Sequence, residues 1–228
     1  MKRLSSVSLA LLIIVLCMPT DRKLFAQSSK FRYVAVGDSY TIGTGVSSKQ
    51  AWPTLLTDHL RFQGVDIALL ANLGQAGWTS AQVLTHQVPQ LVSLQPNFVT
   101  VLVGANDVFQ GVDPSEFTQR LKTLLDSLQK ILPSQNQILV LTIPDFSVTL
   151  KARNFGSSFA IHKTISDFNT IITKEAQSRG LKVVDLFKVS QEMDKKPQLV
   201  AADGLHPSPK GHLIWEETIY PTVKELLK

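Results

Sequence analysis

Ser39, Asp203 and His206 are the residues whose types and surroundings bear most directly on chemistry. Nucleophilic acyl transfer needs a hydroxyl, an imidazole to take its proton, a carboxylate to orient that imidazole, and donors for the oxyanion that forms. Ser39 stands in Gly37-Asp38-Ser39-Tyr40, and Asp203 and His206 stand three residues apart in Asp203-Gly204-Leu205-His206-Pro207. That spacing lets one local turn bring the carboxylate to Nδ1, leaving the other ring nitrogen to face the serine. A neutral imidazole near its ordinary pKa suits the taking and returning of a proton at neutral pH. Oxyanion donors are available in the backbone N–H groups of Ser39 and Gly77 and the side-chain amide of Asn106.

Taken singly, each residue has a plainer reading. A serine after a strand is usually a turn or cap residue, Asn106 can bracket a turn, Gly77 can permit a bend, and His206 can be an exposed loop residue. Their joint occurrence favours catalysis, because several loops each offer one required role. Asp38 and Asp107 read as structural hydrogen-bond acceptors. His59, His86, His162 and His212 fall in no metal-ligand spacing, and Cys17 is the single cysteine, so no metal, thiolate cluster or disulfide framework is expected. Neither a phosphate loop nor a Gly-x-Gly-x-x-Gly fingerprint occurs, so no cofactor is expected; a Gly-x-Ser-x-Gly elbow is absent too.

To meet, these residues need a scaffold. From Phe31 onward short aliphatic runs alternate with longer amphipathic stretches, the rhythm of a parallel sheet covered by helices. The pattern predicts strands at Phe31–Val36, Ile67–Asn72, Phe98–Val103, Ile138–Ile143 and Leu181–Phe187. Helices are predicted near Trp52–Phe62, Ser80–Leu94, Pro114–Leu132, Phe159–Arg179 and Lys210–Leu227. Asp113-Pro114-Ser115-Glu116 is a helix start, with Asp113 as cap, Pro114 at the first helical position and Glu116 able to reach back. The irregular stretch Pro144–Ser158 is long for a compact domain. In such sheets ligands collect beyond the carboxyl ends of the strands, where the polar, glycine-rich segments fall.

The chain has 228 residues, 44% of them apolar and 18% charged, a composition that suits one globular domain rather than a disordered or fibrous chain. The formal charge of +5 lies mostly in residues 1–26; without them 19 basic and 17 acidic residues leave +2, so a nucleic-acid partner is not expected. Met1-Lys2-Arg3 followed by the apolar run Leu9–Met18, too short to span a bilayer, reads as a secretory signal peptide covering residues 1–26. A cut after Ala26 leaves a domain of residues 27–228 working outside the cytoplasm, periplasmic or secreted, with no stable membrane span. Lipidation of Cys17 is disfavoured by the bulky Leu16 before it.

The ordered segments Gly37-Asp38-Ser39-Tyr40, Asn72 to Gly77, Gly104-Ala105-Asn106-Asp107 and Asp203 to Pro207 resemble the motif blocks of the SGNH hydrolases, also called GDSL esterases and lipases. The resemblance runs from Phe31 to about His212. Ala51-Trp52-Pro53-Thr54-Leu55-Leu56 is similar to a helix start in bacterial thioesterase/lysophospholipase-type members. It implies a flavodoxin-like three-layer α/β/α sandwich with a five-stranded, mostly parallel sheet. It further implies Ser39 as nucleophile, His206 as general base and then acid, Asp203 as its orienter, and an oxyanion hole of Ser39, Gly77 and Asn106. Gly77 is preferred over Gly74 because a glycine five residues after Asn72 fits the family spacing. Tyr40, where members often carry Leu, and Trp78, where a small polar or acidic residue is common, depart from the pattern and touch substrate fit more than mechanism.

The expected activity is two-step hydrolysis of a small-molecule, lipid or thio-ester by an extracytoplasmic, monomeric serine esterase. Deacetylation of a glycan is the enzymatic alternative, and a silent glycan-binding module the non-enzymatic one. Val108 and Phe109, with Phe146, Val148 and Leu150, lean toward an acyl-chain surface, or else are ordinary packing.

Overall fold

A computed structural model describes residues 28–134 and 137–228. The expected signal peptide, its cut after Ala26, and Cys17 lie outside the described residues. Five strands form one sheet: β1 (Phe31–Gly37), β2 (Ile67–Asn72), β3 (Phe98–Leu102), β4 (Ile138–Leu141) and β5 (Lys182–Val184). Their order is β2-β1-β3-β4-β5, and every ladder is parallel. β3 is wholly buried and β1 nearly so, which is why both read as continuous apolar runs rather than alternating ones. The helices Trp52–Phe62 and Pro209–Leu226 pack on each other, as do Pro114–Ile131 and Ser158–Ser178. One core joins them to the sheet, with Trp52, Trp215, Phe117 and Phe168 among its largest members.

Trp52–Phe62 and Ile67–Asn72 occupy the bounds their patterns predict. Elsewhere local polar groups override the apolar pattern. β4 stops at Leu141 because the side-chain amide of Asn169 takes over both backbone groups of Ile143, accepting from its N–H at 2.7 Å and donating to its carbonyl at 2.9 Å. β5 is shorter than the expected Leu181–Phe187 because Asp185 caps a helix over Leu186–Ser190, and Thr142 Oγ1 accepts from the N–H groups of Leu186 and Phe187.

The expected continuous helix Ser80–Leu94 is broken. Helical turns at Ser80–Gln82 and Val88–Leu94 flank a π segment, Val83–Gln87, in which the Val88 N–H reaches the Val83 carbonyl. Pro89 has no N–H to give to residue 85 and its ring crowds that carbonyl, so the ladder widens ahead of it. The cap at Asp113 forms as expected, accepting from the Ser115 N–H, but the Glu116 carboxylate pairs with Arg120 instead of reaching back. The expected irregular stretch Pro144–Ser158 is irregular up to Ser157, apart from short 3-10 turns at Phe146–Val148 and Lys151–Phe155, and Ser158 opens the next helix.

Candidate active site

The sheet delivers Ser39 at the carboxyl end of β1. Gly37 has φ +156°, and a Cβ there would sit 2.2 Å from Thr41 Oγ1 and 2.3 Å from the Leu102 carbonyl, so only glycine lets the chain turn so tightly. The side-chain amide of Gln87 clamps the same residue, accepting from the Gly37 N–H at 2.9 Å and donating to its carbonyl at 2.8 Å. The sequence reading missed Gln87. Its signal was present, since it is a polar residue among Val83, Val88 and Leu91 just ahead of a proline, and the π segment turns it inward. Asp38 then caps the short helix Ser39–Ile42, accepting from the Tyr40 N–H at 3.0 Å.

The second loop is built around Asp203. Its Oδ1 accepts from the N–H groups of Leu205 and His206 at 2.9 and 3.0 Å, while Oδ2 lies 2.5 Å from His206 Nδ1. The three-residue spacing is thus a local turn, closed by the Ala201 N–H donating to the His206 carbonyl at 2.7 Å. His206 Nε2 lies 2.9 Å from Ser39 Oγ, across 167 positions of chain. Tautomers follow from chemistry: with a carboxylate at Nδ1, that nitrogen carries the proton and Nε2 is left to accept. Burial pushes the Asp203 carboxyl up, but its bonds from the His206 ring and from two backbone N–H groups outweigh this and hold it below the usual range.

Tyr40 is buried, with its ring 5.0 Å from that of His206 and 5.9 Å from that of Trp215, while the Trp52 indole N–H donates to the Tyr40 carbonyl. The departure from the family pattern therefore packs against the imidazole. His212, fully buried beside Trp215, is pushed down to about 4 by burial and by the positive charge His206 can carry.

Asn106 lies on the short helix Ala105–Phe109 after β3. Its amide N–H donates to the Trp78 carbonyl at 2.9 Å, with Asp38 Oδ2 at 3.5 Å, which draws the Gly77 segment toward the serine loop. Asp107 reinforces the link, accepting from the backbone N–H and the hydroxyl of Ser80 at 2.8 and 2.5 Å while Arg120 approaches at 3.4 Å. Both aspartates set aside as structural acceptors make such bonds. Burial, helped by the nearby Asp107 charge, pushes the Asp38 carboxyl up to about 7 against the Tyr40 N–H.

The two glycines of the second block differ. A Cβ on Gly74 would lie 2.5 Å from the Ile42 nitrogen and 2.8 Å from the Asp38 carbonyl, so Gly74 packs against the serine loop. Gly77 is exposed, has φ +81°, and would meet nothing within 4 Å. Of the proposed acyl-chain residues, Phe146 is buried and stacks on Phe109 at 4.2 Å, which is ordinary packing, whereas Leu150 is exposed. Among the described residues no three His, Cys, Asp or Glu side chains converge as a metal site would need.

Residues 35–214 match the model of the GDSL-like lipase/acylhydrolase family. The chain belongs to that family. It is 28% identical over 188 residues to an arylesterase of Vibrio mimicus, covering 82% of this chain and 84% of that protein. It is 27% identical over 173 residues to the thioesterase 1/protease 1/lysophospholipase L1 of Escherichia coli (strain K12), covering 76% of this chain and 74% of the relative. The crystal structure of TesA superposes with a TM-score of 0.69 at 25% identity, over 86% of this chain and 99% of that one. This GDSL-family chain is a carboxylic ester hydrolase with the α/β fold of its relatives.

Proposed function

We propose that this chain is a serine esterase acting outside the cytoplasm as a monomer, hydrolysing acyl esters or thioesters through Ser39, His206 and Asp203. Ser39 Oγ attacks the acyl carbonyl while His206 Nε2 takes the hydroxyl proton, and Asp203 holds the imidazolium that forms. The oxyanion is met by the N–H groups of Ser39 and Gly77 and the Asn106 amide. On collapse, His206 gives its proton to the departing alkoxide or thiolate, leaving an acyl-serine. Water, deprotonated by the same nitrogen, then releases the acid and restores the hydroxyl.

The observation that carries this reading is the placement of one imidazole between a carboxylate at 2.5 Å and a serine hydroxyl at 2.9 Å. The N-terminal pattern of residues 1–26 supports a role beyond the cytoplasmic membrane. No helix among the described residues is long and apolar enough to cross a membrane. The test is turnover of p-nitrophenyl esters from acetate to palmitate by the wild type and by Ser39→Ala. Activity on medium or long acyl chains, lost by about 10⁴-fold or more in the variant, is expected. Strict preference for acetate moves the substrate to an acetylated glycan, and turnover that survives Ser39→Ala overturns the reading.

A further inference from the structure

Six large apolar side chains are strongly exposed among the described residues, and three of them, Leu150, Phe155 and Phe159, fall in one ten-residue stretch. Their exposures are 71%, 56% and 79%. Lys151 and Arg153 are interleaved with them and are also exposed. The one acidic residue between Pro144 and Lys163 is Asp145, which is fully buried and bonded to Ser147 and His162. Lys163 is matched by Asp167 at 2.6 Å, so the unmatched charge of the patch is that of Lys151 and Arg153.

The stretch is anchored beside the proposed catalytic groups. The Lys151 N–H donates at 3.1 Å to the carbonyl of Gly204, between Asp203 and His206. Phe155 stands edge-on to Phe109 at 4.7 Å, and Phe109 ends the helix that carries Asn106. Buried Ala152 and Phe146 hold the segment down, so its outward side chains are presented rather than collapsed onto the core.

We propose that Leu150–Phe159 docks the enzyme on an anionic lipid–water interface, bringing the proposed active site to esters lying in that surface; this rests on the esterase reading above. Exposed aromatic and aliphatic side chains beside cations with long apolar stems suit the boundary between headgroups and acyl chains. There the rings enter the apolar layer while the charges meet anionic headgroups. A second copy of the chain or an apolar protein groove would account for the rings but not for the interleaved cations.

Flotation of the full chain with phosphatidylcholine vesicles, with and without phosphatidylglycerol, tests this. Residues 1–26 are common to all variants, so the differences between variants are read. Binding is expected to rise with phosphatidylglycerol and fall with salt. Phe159→Ser should weaken it about tenfold, and Arg153→Glu by about fivefold or more with a shallower salt dependence. Turnover of p-nitrophenyl acetate in solution should stay within about twofold in both. Binding unchanged in both variants, or equal on vesicles without anionic lipid, overturns the docking. So does self-association abolished by Phe159→Ser in the absence of vesicle binding. Turnover of the free ester without vesicle binding refutes the docking and spares the esterase; vesicle binding that falls in both variants, without any turnover, supports the docking and refutes the esterase.

Discussion

Replacing Asp203 with Asn probes the proton path while sparing the turn around it. An asparagine Oδ1 still accepts from the N–H groups of Leu205 and His206, now at 2.9 and 3.0 Å, so the loop keeps its shape. The other carboxylate oxygen, 2.5 Å from His206 Nδ1, becomes an NH₂ group. Two donors cannot share that contact, so Nδ1 turns acceptor and the ring proton moves to Nε2. A protonated Nε2, 2.9 Å from Ser39 Oγ, cannot take the serine proton. In a triad this change costs about 10⁴ in kcat, or about 5.5 kcal/mol of barrier. The assay is kcat and KM on a short p-nitrophenyl ester, with the thermal midpoint confirming the fold. An intact Asp203→Asn protein with kcat within about tenfold of wild type would refute the proton path, as would a loss confined to KM.

The remaining predictions concern the support of the site and its pH dependence. Gly77→Ala should fold, since its Cβ meets open space, at a cost of about 1–2 kcal/mol for the left-handed backbone, whereas Gly74→Ala should fail to give stable protein because its Cβ meets two backbone atoms; parallel thermal melts decide. Asp107→Ala should lose about 3 kcal/mol in denaturant unfolding, because the buried Ser80 N–H and hydroxyl lose their acceptor. His212 is held neutral, with its folded pKa near 4 below its ordinary 6.5, so the unfolded chain takes up the proton first as pH falls. That contribution is whole above about pH 6.5 and lost toward pH 4, amounting to about 3 kcal/mol, and His212→Gln should flatten the stability profile across this window.

Much of this was legible in the chain because the signals were local. The runs at Phe31–Gly37 and Ile67–Asn72 are apolar in the manner of strands, and Asp203 reaches His206 within one turn. What escaped depended on partners distant in sequence. Asn169 ends β4 from a helix 26 residues on, Gln87 clamps Gly37 from 50 residues away, and Thr142, 44 residues back, takes the N–H of Leu186 where the expected strand would have run on to Phe187. That Gly74 packs against the serine loop while Gly77 stands exposed is a matter of folded contacts, which no spacing reveals. Tyr40 stood out as a departure, yet only packing shows that it leans on His206.

The most direct measurement is covalent labelling of the intact enzyme by a fluorophosphonate, with the adduct located by peptide mass spectrometry. One adduct per chain on Ser39 is expected, abolished in Ser39→Ala and strongly slowed in His206→Ala. An unlabelled wild-type enzyme, or an adduct on any other residue, would contradict Ser39 as the nucleophile.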